Sequence, residues 1–154
     1  MDTPGGTPGN PHFELFDSWE AAEERVGYAP LVPVSSHELE RLALFVRDHR
    51  MREVPPKMQA LEAYYGSFVF SQSRPGEEEA RRRAIDERYG DDPRTVSVEG
   101  REGRGYERGP EPPPDDPDPR MPAVVAWADG PRSLLLASDQ LELADLLTIA
   151  ASLY

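Results

Sequence analysis

The chain has no cysteine, only one lysine (Lys57) and no long apolar run. Without cysteine there is no disulfide framework, no Cys-ligated zinc or iron–sulfur site and no thiol catalysis. Positive charge is scarce: 17 Lys and Arg stand against 29 Asp and Glu, a net charge of −12. That balance argues against sequence-independent nucleic-acid binding, which needs a basic face to displace counterions, and no nucleic-acid partner is expected. It argues equally against docking on an anionic membrane surface. No apolar stretch reaches the ~18 residues that a membrane-spanning helix needs. The start, Met1-Asp2-Thr3-Pro4-Gly5-Gly6, lacks the basic region and apolar core of a signal peptide. As it stands the chain is expected in the cytoplasm, and outside it only if it is cut from a longer anchored protein.

Chemical signatures are also missing. The sequence holds no Walker-type loop, dinucleotide fingerprint or nucleophile elbow. His12, His37 and His49 are scattered, with no metal-ligand spacing. Asp115-Asp116-Pro117-Asp118 lacks the Gly and the downstream Glu of a calcium loop and reads as a solubilising acidic loop. With acids everywhere, closeness in sequence carries no information about acid–base pairs. No catalytic residue, metal or cofactor is therefore expected.

What is present is one domain's length, 154 residues, with 17 prolines in clusters. Residues 1–12, rich in Pro and Gly, read as a flexible tail. Residues 13–154 read as one α+β domain with an irregular Gly/Pro-rich excursion at 100–122. Asp17 and Glu20 have capping-box spacing, Phe16, Trp19, Ala22 and Val26 fall on a helical stripe, and Gly27 suits the end of that short helix. Tyr28 to Pro33 is extended, since each residue before a proline is pushed out of the α region. In residues 37–50, Leu39, Leu42 and Val46 fit a helix while Leu42, Leu44 and Val46 alternate as a strand; Phe45-Val46 favours the strand. Residues 58–73 read as a hairpin about Gly66-Ser67. Residues 76–89 read as a polar helix on the surface, with Glu77, Glu78 and Glu79 four residues before Arg81, Arg82 and Arg83. The three arginines read as a solvated face rather than an anion site.

Thr95-Val96-Ser97-Val98 alternates as a strand. Pro110 to Pro114 would form a short polyproline stretch or a mobile loop. Ala123–Trp127 and Ser133–Ala137 read as strands joined through Asp129-Gly130-Pro131, with Pro131 lengthening the loop. Asp139 and Glu142 have capping-box spacing before the apolar stripe Leu143, Leu146, Leu147, Ala150, Leu153 and Tyr154, a helix that should cover one face of a sheet.

Three stretches, in order, resemble a family of uncharacterised bacterial domains. They are Trp19-Glu20-Ala21-Ala22-Glu23-Glu24-Arg25-Val26-Gly27-Tyr28-Ala29-Pro30-Leu31-Val32-Pro33, the hairpin from Ala63-Tyr64-Tyr65 to Val69-Phe70-Ser71-Gln72, and Val125-Ala126-Trp127-Ala128-Asp129-Gly130 with Leu146 to Leu153. The family is similar to extracytoplasmic sensor-like domains of anti-sigma-factor-like and lipoprotein-like proteins. The resemblance implies a lipoprotein-carrier-like architecture, a curved antiparallel sheet packed on helices, with no catalytic residues to carry over. The chain departs from the pattern in lacking an anchor or signal and in carrying the polar helix and the proline-rich loop.

The expected fold is thus a curved antiparallel sheet of about five or six strands packed against a C-terminal helix. The expected function is a non-enzymatic binding or sensor module that engages a peptide, a lipid-like ligand or a protein through the sheet. Tyr64, Phe68, Phe70 and Trp127 are the candidate ligand-binding residues, although strand aromatics are more often core. The alternatives are a structural or oligomerisation module, or an enzyme whose acids converge only in three dimensions.

Overall fold

A computed structural model describes residues 11–33, 38–48, 57–73, 76, 78–90, 92–110, 113–115 and 120–154. The elements are β1 (Pro11–Phe16), α1 (Trp19–Val26), β2 (Arg41–Asp48), β3 (Lys57–Tyr64), β4 (Val69–Ser73), α2 (Glu78–Tyr89), β5 (Arg94–Val98), β6 (Arg101–Tyr106), β7 (Ala123–Asp129), β8 (Arg132–Ser138) and α3 (Leu143–Ala151). The strands form one antiparallel sheet of eight, in the order β1-β2-β3-β4-β8-β7-β6-β5. The chain is α+β with a C-terminal helix on the sheet, but the strand count exceeds the expected five or six.

Two strands account for the difference. β1 begins inside the stretch read as a tail, at Pro11 and His12, and pairs with β2 along its length. β6 lies inside the stretch read as an irregular excursion. Its sequence, Arg101-Glu102-Gly103-Arg104-Gly105-Tyr106, has no strand-like composition, because one side of it is glycine for a packing reason. A Cβ on Gly103 would sit 2.9 Å from the Ala126 carbonyl oxygen and 3.1 Å from Trp127 Cβ. A Cβ on Gly105 would sit 2.8 Å from Val96 Cγ1 and 3.2 Å from the Leu143 methyls. Neighbouring side chains thus rest directly on the β6 backbone. The excursion is shorter than expected. Gly109 N–H donates to the Met121 carbonyl at 2.9 Å and Arg120 Nε to the Gly109 carbonyl at 2.8 Å, closing its base. The tail to residue 10, His37, His49, and residues 111–112 and 116–119 of the proline-rich run lie outside the described residues.

Three turns follow their glycines. Tyr65 N–H donates to the Phe68 carbonyl across Gly66-Ser67, with Gly66 at φ 71°. Glu99 and Gly100 join β5 to β6 at φ 48° and 81°, two positive values as in a type I′ turn. Asp129 faces Arg132, so the loop between β7 and β8 is Gly130-Pro131 alone. Proline does not lengthen it, because the second central position of a two-residue turn owes the ladder no N–H. The helix caps sit one and three residues later than expected. Ser18, not Asp17, caps α1 and accepts from Ala21 N–H at 3.1 Å. Glu142, not Asp139, caps α3, and the Asp145 carboxylate accepts from Glu142 N–H at 3.0 Å. Ser138 occupies the connection instead, its hydroxyl oxygen accepting from Gln140 and Leu141 N–H at 3.0 and 2.8 Å.

The pleat sends alternate residues to two faces. One face holds the main core: Leu42, Leu61, Ala63, Phe70, Val125, Trp127, Leu134 and Leu136, covered by Ala22 of α1 and by Leu143, Leu146 and Ala150 of α3. The segment after α1 lies here too. Leu31 N–H donates to Gln72 Oε1 and Gln72 Nε2 to the Leu31 carbonyl, both at 2.9 Å, so this buried amide is satisfied by backbone. On the other face α2 lays Ile85 against Val124, Ala126 and Leu135. The polar helix is therefore docked on the sheet, with Asp86 ion-paired to Arg104 of β6.

Gly103→Ala should destabilise the fold by roughly 1–3 kcal/mol, because backbone must move. Gly105→Ala should cost less, since it meets only side-chain ends. Urea denaturation of the two variants reads the order directly; equal loss at both positions would contradict this packing.

Candidate functional site

The hairpin geometry determines which backbone groups of β5 are free. A two-residue turn makes its flanking pair, Val98 and Arg101, exchange both hydrogen bonds. Along the register the bonded pairs then fall at Val98–Arg101, Val96–Gly103 and Arg94–Gly105. Thr95 and Ser97 are the non-bonded positions, so their N–H and C=O groups point away from β6. β5 ends the sheet, and among the described residues it pairs only with β6. Natural edges are blunted by proline, lysine, bulges or inward charges. β5 (Arg94-Thr95-Val96-Ser97-Val98) has no Pro or Lys within it and an unbroken register; its one charge, Arg94, follows Pro93 at the start of the strand and is paired with Glu107. The opposite edge differs: β1 opens on Pro11, which has no amide hydrogen, and Glu14 is held by Arg25 of α1 through contacts of 2.8–3.2 Å.

Beside the β5 edge runs a groove of about 320 Å³, floored by Val96 and walled by Leu143, Ala144 and Leu147 of α3. Two ion pairs stand at its rim: Arg94 with Glu107 at 2.6 Å, and Arg108 with Glu142. Both ends of α3 are tied down. Arg108 holds Glu142 at the start. At the end Tyr154 accepts from Trp127 Nε1 at 3.1 Å and donates to Asp129 at 2.9 Å. The Arg101 guanidinium lies 3.8 Å above the Tyr154 ring. The Tyr154 hydroxyl is pushed above its ordinary pKa, chiefly by burial. The groove wall is therefore fixed to β6 and β7 rather than hinged.

On the other face a larger open cleft, about 910 Å³, lies between α2 and strands β5 to β8. Arg82, Arg83, Asp86, Thr95, Glu102, Arg104 and Ser133 line it, with Ile85 and Ala126 as its apolar floor. Thr95 borders both depressions, so β5 separates them. The three arginines of α2 do not act together: Arg81 bonds Ser71 of β4, while Arg82 and Arg83 turn to the cleft.

The four candidate aromatics do not converge. Phe68, Phe70 and Trp127 are buried in the main core. Phe70 stacks on Trp127 at 6.5 Å, and Phe68 on Tyr65 at 4.8 Å. Trp127 also borders the large cleft. Tyr64 lies on the α2 side in a polar row. Its hydroxyl donates to Glu62 Oε1 at 2.8 Å, Ser71 donates to Glu62 Oε2 at 3.1 Å, and Arg41 stacks on its ring at 4.2 Å. Burial, then the Glu62 carboxylate, push the Tyr64 pKa up to about 12 against the opposing pull of Arg41. At neutral pH this phenol is a hydrogen-bond donor. The residues that reasoning from sequence missed are Thr95, Ser97, Leu143 and Leu147. The signal available was Glu99-Gly100, a turn pair directly after an alternating run.

Among the described residues no group of acids and histidines is placed to hold a metal ion, and no helix is long and apolar enough to cross a membrane. No family model, curated protein or solved structure matches the chain.

Alkaline titration followed by tyrosinate absorbance should show Tyr64 ionising near 12, and Glu62→Gln should lower that value. The folded pKa is raised, so the stabilisation is complete below about 10 and is lost as pH climbs towards about 12. Tyr64→Phe should flatten that part of the stability curve.

Proposed function

We propose that the protein is a non-enzymatic binding module that takes an extended segment of a partner protein as a ninth strand along β5. The observation that carries this reading is the unblocked β5 edge lying beside an apolar groove. Thr95 and Ser97 offer backbone groups to the added strand, and Val96, Leu143 and Leu147 offer a surface for every second side chain. Strand addition of this kind derives affinity from main-chain hydrogen bonds and specificity from the pockets beside them. An edge strand next to a helix suits an extended peptide better than a compact ligand. The resemblance to sensor-like domains supports a role in recognition. The burial of Phe68 against Tyr65, and of Phe70 against Trp127, favours the peptide form over a lipid held among those aromatics.

The test uses a labelled peptide of ~8 residues, a strand's length, alternating Val and Ser. It should bind the wild-type chain and raise hydrogen-exchange protection at the Thr95 and Ser97 amides. Ser97→Pro removes one outward N–H and leaves the β5–β6 ladder intact, since proline is tolerated at an edge with that position facing out. It should abolish binding without lowering the melting temperature, while Ser97→Ala should still bind. Unchanged exchange at Thr95 and Ser97, or full binding by Ser97→Pro, overturns the reading. A self-association that Ser97→Pro abolishes would replace the peptide with a second copy of the chain.

A further inference from the structure

An added strand at β5 would present its side chains to both faces of the sheet, and the two faces differ in chemistry. Val98 is buried in the main core and Val96 packs against it, so Thr95 and Ser97 stand on the opposite face, where α2 lies. Both are exposed. On that face the register sets Thr95 opposite Arg104 of β6 and Ser97 opposite Glu102. Arg104 is already ion-paired with Asp86 of α2. Glu102 is exposed, and among the described residues its carboxylate has no ion pair or hydrogen bond. The residue of an added strand that faces Ser97 falls in line with Glu102, two strand spacings away, or about 10 Å. Serine fills little of the space between them, so a long cationic side chain can lie across it to the carboxylate. Resting on strand addition at β5, we infer that the partner segment carries a lysine or arginine at the position facing Ser97. Its apolar residues lie against Leu143 and Leu147, and its cation pairs with Glu102.

The surroundings favour the same sign. Asp92 and Glu99 flank β5, and both are exposed. A net charge of −12 draws a basic segment towards the protein and repels an acidic one. The basic residues nearby are otherwise engaged or stand apart. Arg94 is paired with Glu107, Arg108 with Glu142, and Arg83 has a partner of its own. Arg82 lines the cleft from α2 and does not belong to the row of Ser97 and Glu102. Specificity of this kind is a difference between partners. A carboxylate facing Ser97 would meet like charge, and a neutral residue would leave Glu102 in water. The attraction is exposed to solvent, so it is modest and must weaken with salt.

The test compares three peptides of ~8 residues in which Val alternates with Ser, one central Ser being kept or replaced by Lys or Glu. Affinities are measured by fluorescence anisotropy at about 0.05 M and about 0.5 M salt. The Lys peptide should bind tightest, about twofold to fivefold over the Ser peptide, with the Glu peptide weakest and the spread narrowed at high salt. Glu102→Gln should bring the Lys and Ser peptides to equal affinity while leaving the Ser peptide's own affinity unchanged, which a misfolded variant could not do. Glu24→Gln removes the same charge from α1, beside the opposite edge of the sheet, and should keep the Lys preference. Equal affinity of the wild-type chain for all three peptides, a preference that survives Glu102→Gln, or one lost equally in Glu24→Gln overturns the pairing with Glu102 and leaves strand addition standing. Failure of all three to bind, or binding indifferent to Ser97→Pro, overturns strand addition itself and the basic preference with it.

Discussion

The rest of the structure depends on how closely α3 and β7 approach the backbone of β6. Gly103 and Gly105 remove the side chains that would stand between them, so Trp127 and Leu143 rest on bare backbone. That contact sets the height of α3 above the sheet and its distance from β5. Leu143 and Leu147 then stand beside the last strand rather than on top of it, and the groove is the space left over. A larger residue at Gly105 would press on Leu143 and Val96, and one at Gly103 on the Ala126 carbonyl and Trp127.

Ion pairs and hydrogen bonds keep this geometry in place without supplying much of its energy. Arg108 with Glu142 at one end of α3, and Tyr154 with Trp127 and Asp129 at the other, are partly solvated contacts, and such contacts are individually weak. Their effect is positional. They fix the start of α3 against the strand end at Arg108, and its last turn against β7. The buried apolar residues of the main core provide the stability, while the polar ties choose the register in which it is used.

The two faces of the sheet carry different work. One is closed by α1, the Gln72-bound segment and α3. The other is covered by α2 through Ile85 alone among its fully buried, described residues, which leaves an open cleft beside it. A helix so polar can dock because strand residues below it are polar too: Ser71 meets Arg81, and Arg104 meets Asp86. What reads along the chain as a solvated run of charges is, in three dimensions, one wall of a cleft.

The class of fold, the C-terminal helix, the hairpin about Gly66-Ser67 and the β7–β8 pair were legible because hydrophobic period and turn chemistry are local properties. Strands β1 and β6 were not. Pro11 and His12 resemble a tail, and β6 is glycine and charge, since a strand that others rest on shows no apolar alternation of its own. The candidate aromatics illustrate the same limit: Phe70 and Trp127 are visible as strand residues, but which face they share with α3, and that Tyr64 lies opposite, follows from register. By itself the sequence determined the acidity, the missing cysteine chemistry, the helices and most strands, all consequences of composition and short-range pattern. Only the tertiary structure decided that β5 is an edge, that Thr95 and Ser97 face outward, and that α2 and α3 flank it, because strand order is set by contacts between segments far apart in the chain.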